Sequence, residues 1–161
     1  MSETYQIFSD GGARGNPGPS AIGVLICDSA GATVKDYGQV IGKATNNVAE
    51  YSAVICGLQM ARDLKIDNIE YFVDSELVCK QINGEYRVKT PHIRDLYLKA
   101  KQLAGKFKKI QFTHVRRTHE KIQHVDALVN KALDQAEAEG LKLEGYEEYL
   151  KKDSAQNQFE F

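Results

Sequence analysis

Tryptophan is absent from the chain, and cysteine and proline occur only three times each in 161 residues. The cysteines, Cys27, Cys56 and Cys79, are odd in number, widely spaced, and set in apolar segments. With no CxxC pair and no Cys/His cluster, neither a disulfide framework nor a thiolate metal site is expected, and each reads as a buried reduced thiol. No apolar run approaches the roughly 18 residues that a membrane-spanning helix needs. The start, MSETYQIFSD, shows neither the basic segment nor the apolar core of a secretion signal. A cytoplasmic protein, monomeric and without a membrane partner, is the expectation. Net charge is nearly absent too: −1 at pH 7 gives no global attraction to a polyanion.

The charge that is present is unevenly placed. Twelve Lys and Arg residues fall between Lys80 and Lys121, opposed only by Glu85, Asp95 and Glu120. From Asp134 onward, eight acidic residues face Lys142, Lys151 and Lys152. Such runs are commonly solvated faces, so the basic one, Lys99 to Lys121 above all, suggests a polyanion partner only if something else points to one.

Apolar spacing divides the chain into elements. TYQIFS predicts a short strand stopping at Asp10, and AIGVLICD with GATVKDYGQVIG predicts a hairpin turning at DSAG. NNVAEYSAVICGLQMARDLK places Val48, Tyr51, Val54, Ile55, Leu58, Ala61 and Leu64 at helical spacing. NIEYFVD is a strand ending at Asp74, and SELVCKQING a short helix stopped by Gly84. Pro91 opens a third helix, PHIRDLYLKAKQLAGKF. KIQFTHV is a fifth strand and VDALVNKALDQAEAEG a last helix. The order β-β-β-α-β-α-α-β-α predicts an α/β fold with a mixed sheet and helices packed on it. Residues 1–140 make one domain, and 141–161 form an acidic tail with flexibility as its default reading.

Four acids invite a chemical reading, though each has a local structural one. Asp10-Gly11 is a turn dipeptide. Glu50 follows Asn47 by three residues, as in a capping box. Asp74 stands where an aspartate caps a helix, and Asp126 in what reads as the first turn of one. Taken together they say more. Asp10 and Asp74 both end strands, where ligand sites of α/β sheets lie, and both helix starts can reach that edge. Carboxylates crowded together raise each other's pKa unless a cation neutralises them. With oxygen ligands only, that cation is a hard divalent ion, Mg²⁺ or Mn²⁺. Two such ions would suit phosphodiester hydrolysis, by activating a water and stabilising the leaving oxygen. The opening loop, with Gly11, Gly12, Gly15 and Gly18 around Asn16, lets backbone approach a ligand closely. It lacks the Gly-Lys-Ser/Thr of a P-loop, which excludes nucleotide hydrolysis of that type.

SDGGARGNPGPSAIGVLI, TNNVAEYSAVICGL, YFVDSELVCKQING and HVDALVNKALD resemble, in order, the four acid-bearing motifs of the type 1 ribonucleases H. The resemblance covers about Tyr5 to Ala138. It implies a five-stranded mixed sheet, three antiparallel strands then two parallel, with helices on both faces. It further implies a metal-dependent endonuclease that cuts the RNA strand of RNA–DNA hybrids, leaving 3′-hydroxyl and 5′-phosphate ends. Asp10, Glu50, Asp74 and Asp126 would hold two divalent ions, with Asp10 bridging both, so no side-chain nucleophile is needed. Gly12 and Ala13 through their backbone, with Asn16, Asn46, Asn47 and Glu76, would lie near the RNA, and Thr45 near a DNA phosphate.

The chain departs from that family in three places. Only EYRVKTPHI stands where long members insert a basic, Trp-rich arm, so the chain resembles the short class. Tyr86 is there as a single aromatic surface towards the DNA strand, or as a half-buried loop tyrosine. In RRTHEKIQHVD, His119 is the candidate for the family's mobile proton carrier and His124 the second, a loop histidine of no consequence being the alternative. The third departure is the acidic tail. Two rivals remain at this stage: another metal-dependent nuclease on the same fold, and a hybrid-binding module that does not cleave.

Overall fold

The computed structural model describes residues 3–139; the tail, 141–161, lies outside the described residues. Five strands and four helices follow the expected order: β1 (Thr4–Ala13), β2 (Gly18–Cys27), β3 (Thr33–Ala44), α1 (Asn46–Asp63), β4 (Asn68–Val73), α2 (Glu76–Ile82), α3 (Pro91–Ala104), β5 (Lys109–His114) and α4 (Glu120–Ala138). They build one sheet in the order β3-β2-β1-β4-β5. β1 pairs antiparallel with β2, and β2 with β3, while β1–β4 and β4–β5 are parallel. No helix among the described residues is long and apolar enough to cross a membrane.

Helices cover both faces, so the central strands read as continuous apolar runs rather than alternating ones. Adjacent residues of β1 show it. Ile7 joins Val24, Ile26 and Tyr71 under α1 and α3, whereas Phe8 joins Leu25 and Cys27 against Ile122 and Val125 of α4. Tyr71 carries a hydroxyl into the first core, and it donates to Ser9 Oγ at 2.8 Å. The hairpin turn between β2 and β3 is held by Asp28, whose Oδ1 accepts from the amides of Ala30 and Ala32. Cys27 and Cys79 are buried, as expected, and Cys56 half-buried; all three are free thiols.

The structure differs from the sequence expectation at all four acids, and each difference removes a local structural role. β1 does not stop at Asp10. Its parallel ladder to β4 ends at Ser9↔Val73, but its antiparallel ladder to β2 carries it on to Ala13↔Ser20. Asp10 is therefore mid-strand, not at a turn. The N-cap of α1 is Thr45, whose Oγ1 accepts from Val48 N at 3.2 Å, so Glu50 lies two residues too late for a capping box. The N-cap of α2 is Ser75, not Asp74. α4 starts at Glu120, five residues before the expected Val125, which places Asp126 in its second turn, beyond the reach of the helix-end dipole.

Candidate active site

The end of the β1–β4 ladder sets up the site. Asp10 and Asp74 each follow the last paired residues, so they leave neighbouring parallel strands at one level. Gly11 then lets α1 come close: a Cβ there would fall on the Ala49 carbonyl group. That approach lifts Glu50 beside Asp10. One carboxylate oxygen from each of Asp10, Glu50 and Asp74 lies within 4.8 Å of the others. Asp126 stands outside this tight group, exposed on α4, yet lines the same cleft of about 430 Å³. Asn130, one turn further on, donates to Asp126 O at 3.1 Å and to its Oδ2 at 3.4 Å.

Electrostatically the trio is unfavourable as it stands. Burial, then the Asp74 charge and the nearby Asp126, push Asp10 up to about 7, although a hydrogen bond with Glu50 pulls the other way. Glu50 is raised well above the usual carboxylate range, first by burial and then by Asp10 and Asp74. Its Oε2 is shut off from solvent and has no hydrogen-bond partner. A buried oxygen without a donor costs free energy, and a cation repairs this and the crowding at once. Oxygen-only donors at this spacing fit a hard divalent ion such as Mg²⁺ or Mn²⁺.

The residues expected to read substrate fall into three groups. Gly12, Ala13, Asn46 and Asn47 line the cleft with the acids. Asn16 and Thr45 adjoin them, Thr45 as the N-cap of α1 and Asn16 through hydrogen bonds: Ala13 N donates to Asn46 Oδ1, and Asn46 N donates to Asn16 Oδ1, both at 2.9 Å. These two bonds tie the β1–β2 hairpin loop to the start of α1. Glu76 opens α2 and Tyr86 lies in the connection beyond its end, and Lys80 links them, its Nζ 3.2 Å from Glu76 Oε1 and 5.1 Å from the centre of the Tyr86 ring. Tyr86 is 45% exposed, an open surface and not a half-buried one.

The structure does not bring the two histidines to the cleft. His119 is the N-cap of α4, its Nδ1 accepting from Lys121 N at 3.1 Å while its ring tilts against Phe8. His124 pairs with Asp36 at 3.0 Å on the outer side. Nor is the basic run one face. Lys106, Lys108 and Lys109 sit where β5 begins, and Arg116, Arg117 and Lys121 follow its other end, roughly 20 Å away at about 3.3 Å per residue. Sequence reasoning missed Arg117, whose Nε is 3.4 Å from Asp74 Oδ2, and His114, whose Nε2 is 3.1 Å from the Asp74 carbonyl. It also missed Asn130 and Arg14, which line the cleft. The RR pair and the i,i+4 spacing of Asn130 from Asp126 were the available signals.

Comparison with known proteins bears on the same site. The Reverse transcriptase-like family model matches residues 8–132. Ribonuclease HI of Halobacterium salinarum is 43% identical over 130 residues, spanning 80% of this chain and 64% of that protein. This chain belongs to the type 1 ribonuclease H family. The N-terminal RNase H domain of a Mycobacterium tuberculosis protein superposes with a TM-score of 0.81 at 37% identity, covering 86% of this chain and 99% of that one. LC11-RNase H1, solved in complex with an RNA/DNA hybrid, gives 0.76 at 39% identity, covering 82% and 98%. The chain thus matches whole ribonuclease H domains, while spanning 64% of the Halobacterium protein and 35% of the curated Mycobacterium one. Within the family it belongs with the short class, because residues 83–90 alone connect α2 to α3.

Proposed function

We propose that this ribonuclease H domain hydrolyses the RNA strand of RNA–DNA hybrids at internal positions by a two-metal mechanism, leaving 3′-hydroxyl and 5′-phosphate ends. The observation that carries the reading is the convergence of Asp10, Glu50 and Asp74, with a buried Glu50 oxygen left unpartnered. Asp10, Glu50, Asp74 and Asp126 would hold two Mg²⁺ or Mn²⁺ ions. When bound, these ions supply activation of a water and stabilisation of the leaving oxygen.

The chain's own residues bind and orient. Gly12 and Ala13 offer backbone with no bulky side chain, which allows the RNA sugar to approach closely. Asn46 spends its carbonyl oxygen on Ala13 N and Asn16 its own on Asn46 N, leaving their amide nitrogens to donate. With Asn47 and Glu76 they would read the 2′-hydroxyls, the groups that distinguish RNA from DNA. Thr45 sits beside a DNA phosphate in this reading, and the open Tyr86 ring against the DNA strand. Water attacks phosphorus and the ribose 3′ oxygen departs, which accounts for the ends proposed.

The test is cleavage of a labelled RNA strand in a hybrid, with Mg²⁺ and then Mn²⁺, alongside single-stranded RNA, a DNA duplex and Asp10→Asn. Internal cuts confined to the hybrid, dependent on metal and lost in Asp10→Asn, are the expected result. Hybrid binding without cleavage under either metal would overturn it in favour of a binding module.

A further inference from the structure

Arg14 sits in the hairpin loop between β1 and β2, beside the backbone that lines the cleft. Its guanidinium spans to α4. Nη2 meets Asp134 Oδ1 at 2.6 Å, and Nη1 meets Glu137 Oε1 at 2.8 Å. Nη2 also lies 3.4 Å from both the carbonyl and Oδ1 of Asn130. Two carboxylates thus occupy the fork, so its charge is spent within the protein, not held free for a phosphate. Asn130 in turn holds Asp126. On its other side the same loop is latched to α1 through Ala13, Asn46 and Asn16. The loop is therefore fixed at two points, one on the helix that carries Glu50 and one on the helix that carries Asp126.

We infer that Arg14 is a positioning residue: it locks the hairpin loop to α4 and so sets the distance between the backbone of Gly12 and Ala13 and the carboxylate of Asp126. This rests on the activity proposed above. A planar, bidentate fork suits the task, since a lysine at this place could not hold two separated carboxylates in fixed geometry. Of the contacts described between the loop and α4, the ion pairs are the ones that fix direction. The apolar contact behind them is a small satellite cluster of Ala21, Val129 and Leu133.

Two variants of the full chain test this, Arg14→Ala and the double variant Asp134→Ala/Glu137→Ala. Amide hydrogen exchange of residues 12–18 is followed first, without metal or hybrid, after circular dichroism has established that each variant is folded. Both variants are expected to speed exchange in the loop about tenfold, as local opening becomes easier, and combining all three substitutions in one chain is expected to speed it no further. In cleavage assays both lower kcat/KM by about tenfold, since small misplacements near reacting groups are costly. The slope of log KM against log salt stays as in the unmodified protein. A residue that grips a phosphate directly would behave otherwise: Arg14→Ala would flatten that slope by about one, and the double variant, which frees the guanidinium, would bind hybrid no worse. That pattern, or unchanged exchange in Arg14→Ala, overturns the inference. Failure of the unmodified chain to cleave any hybrid would sink the proposed activity instead, while the exchange data would still judge Arg14.

Discussion

Asp10→Asn should stabilise the metal-free protein, and only above a certain pH. Asp10 is 7% exposed, and its pKa is pushed from 3.8 to about 7 by burial and by Asp74. An acid whose folded pKa is raised binds its proton more tightly folded than unfolded. Below about pH 4 both states are protonated and the raised pKa costs nothing. Between pH 4 and 7 the unfolded chain releases the proton and the folded one keeps it, so stability falls as pH rises. Above pH 7 the loss is complete and constant. At 1.36 kcal/mol per pKa unit, a rise of about 3 units corresponds to about 4 kcal/mol. At about 3 °C per kcal/mol for a domain of this size, that corresponds to about 12 °C in Tm. Asparagine has the same shape and no charge to bury. Thermal melts in EDTA from pH 4 to 8.5 should therefore show the two proteins close together at pH 4 and the variant ahead from pH 7 upward. Because Asp10 and Glu50 interact, the step belongs to the pair and has a broadened midpoint. Adding Mg²⁺ or Mn²⁺ at pH 8 should raise the Tm of the unmodified protein more than that of the variant. A Tm difference between the two proteins that does not change with pH would refute the reasoning.

Gly11→Ala puts a methyl group on the Ala49 carbonyl, and, because backbone must move to admit it, should cost about 3 kcal/mol in a urea titration and abolish cleavage. His119→Ala removes an N-cap acceptor from α4; about 1 kcal/mol of stability should go with it. Since the ring lies off the cleft, kcat at neutral pH should fall less than about tenfold, well short of the 10²–10⁴-fold of a general acid or base. Tyr86→Ala should raise KM for hybrid several-fold with little change in kcat, as an exposed ring that supplies contact surface and no chemistry would.

Much of this was legible from sequence because the relevant signals are local. The period of the apolar residues marked every strand and helix, and strand polarity followed from the lengths of the connections. What sequence could not supply was the number of partners each strand has. β1 read as ending at Asp10 because its apolar run ends there, but pairing with β2 alone sustains four further residues, Asp10 to Ala13. α4 read as starting at Val125 because RRTHEKIQ is polar. In fact only Ile122 of its first turn reaches the core, beside Phe8 and Leu25, and one buried residue per turn is a weak periodic signal. The acids were found as a set, since their order and spacing carry the family motif. Arg14, Arg117 and His114 were not, because each acts on a residue far away in the chain, and a charged side chain gives no hint of which distant carboxylate or carbonyl it meets.

The short connection from α2 to α3 has an implication for how such domains diversify. The carboxylates are supplied by the end of one ladder, by α1 and by α4, and none of them depends on residues 83–90 for its place. That connection is anchored at its near end by the Glu85 and Tyr86 amides on the Lys80 carbonyl, and by Gln81 Nε2 on the Arg87 carbonyl. A longer segment grafted beyond Arg87 would hang from this fixed stub. In the proposed reading only the outer part of the grip, the Tyr86 ring, hangs on this connection, so that part can be lengthened, shortened or exchanged while the carboxylates stay as they are.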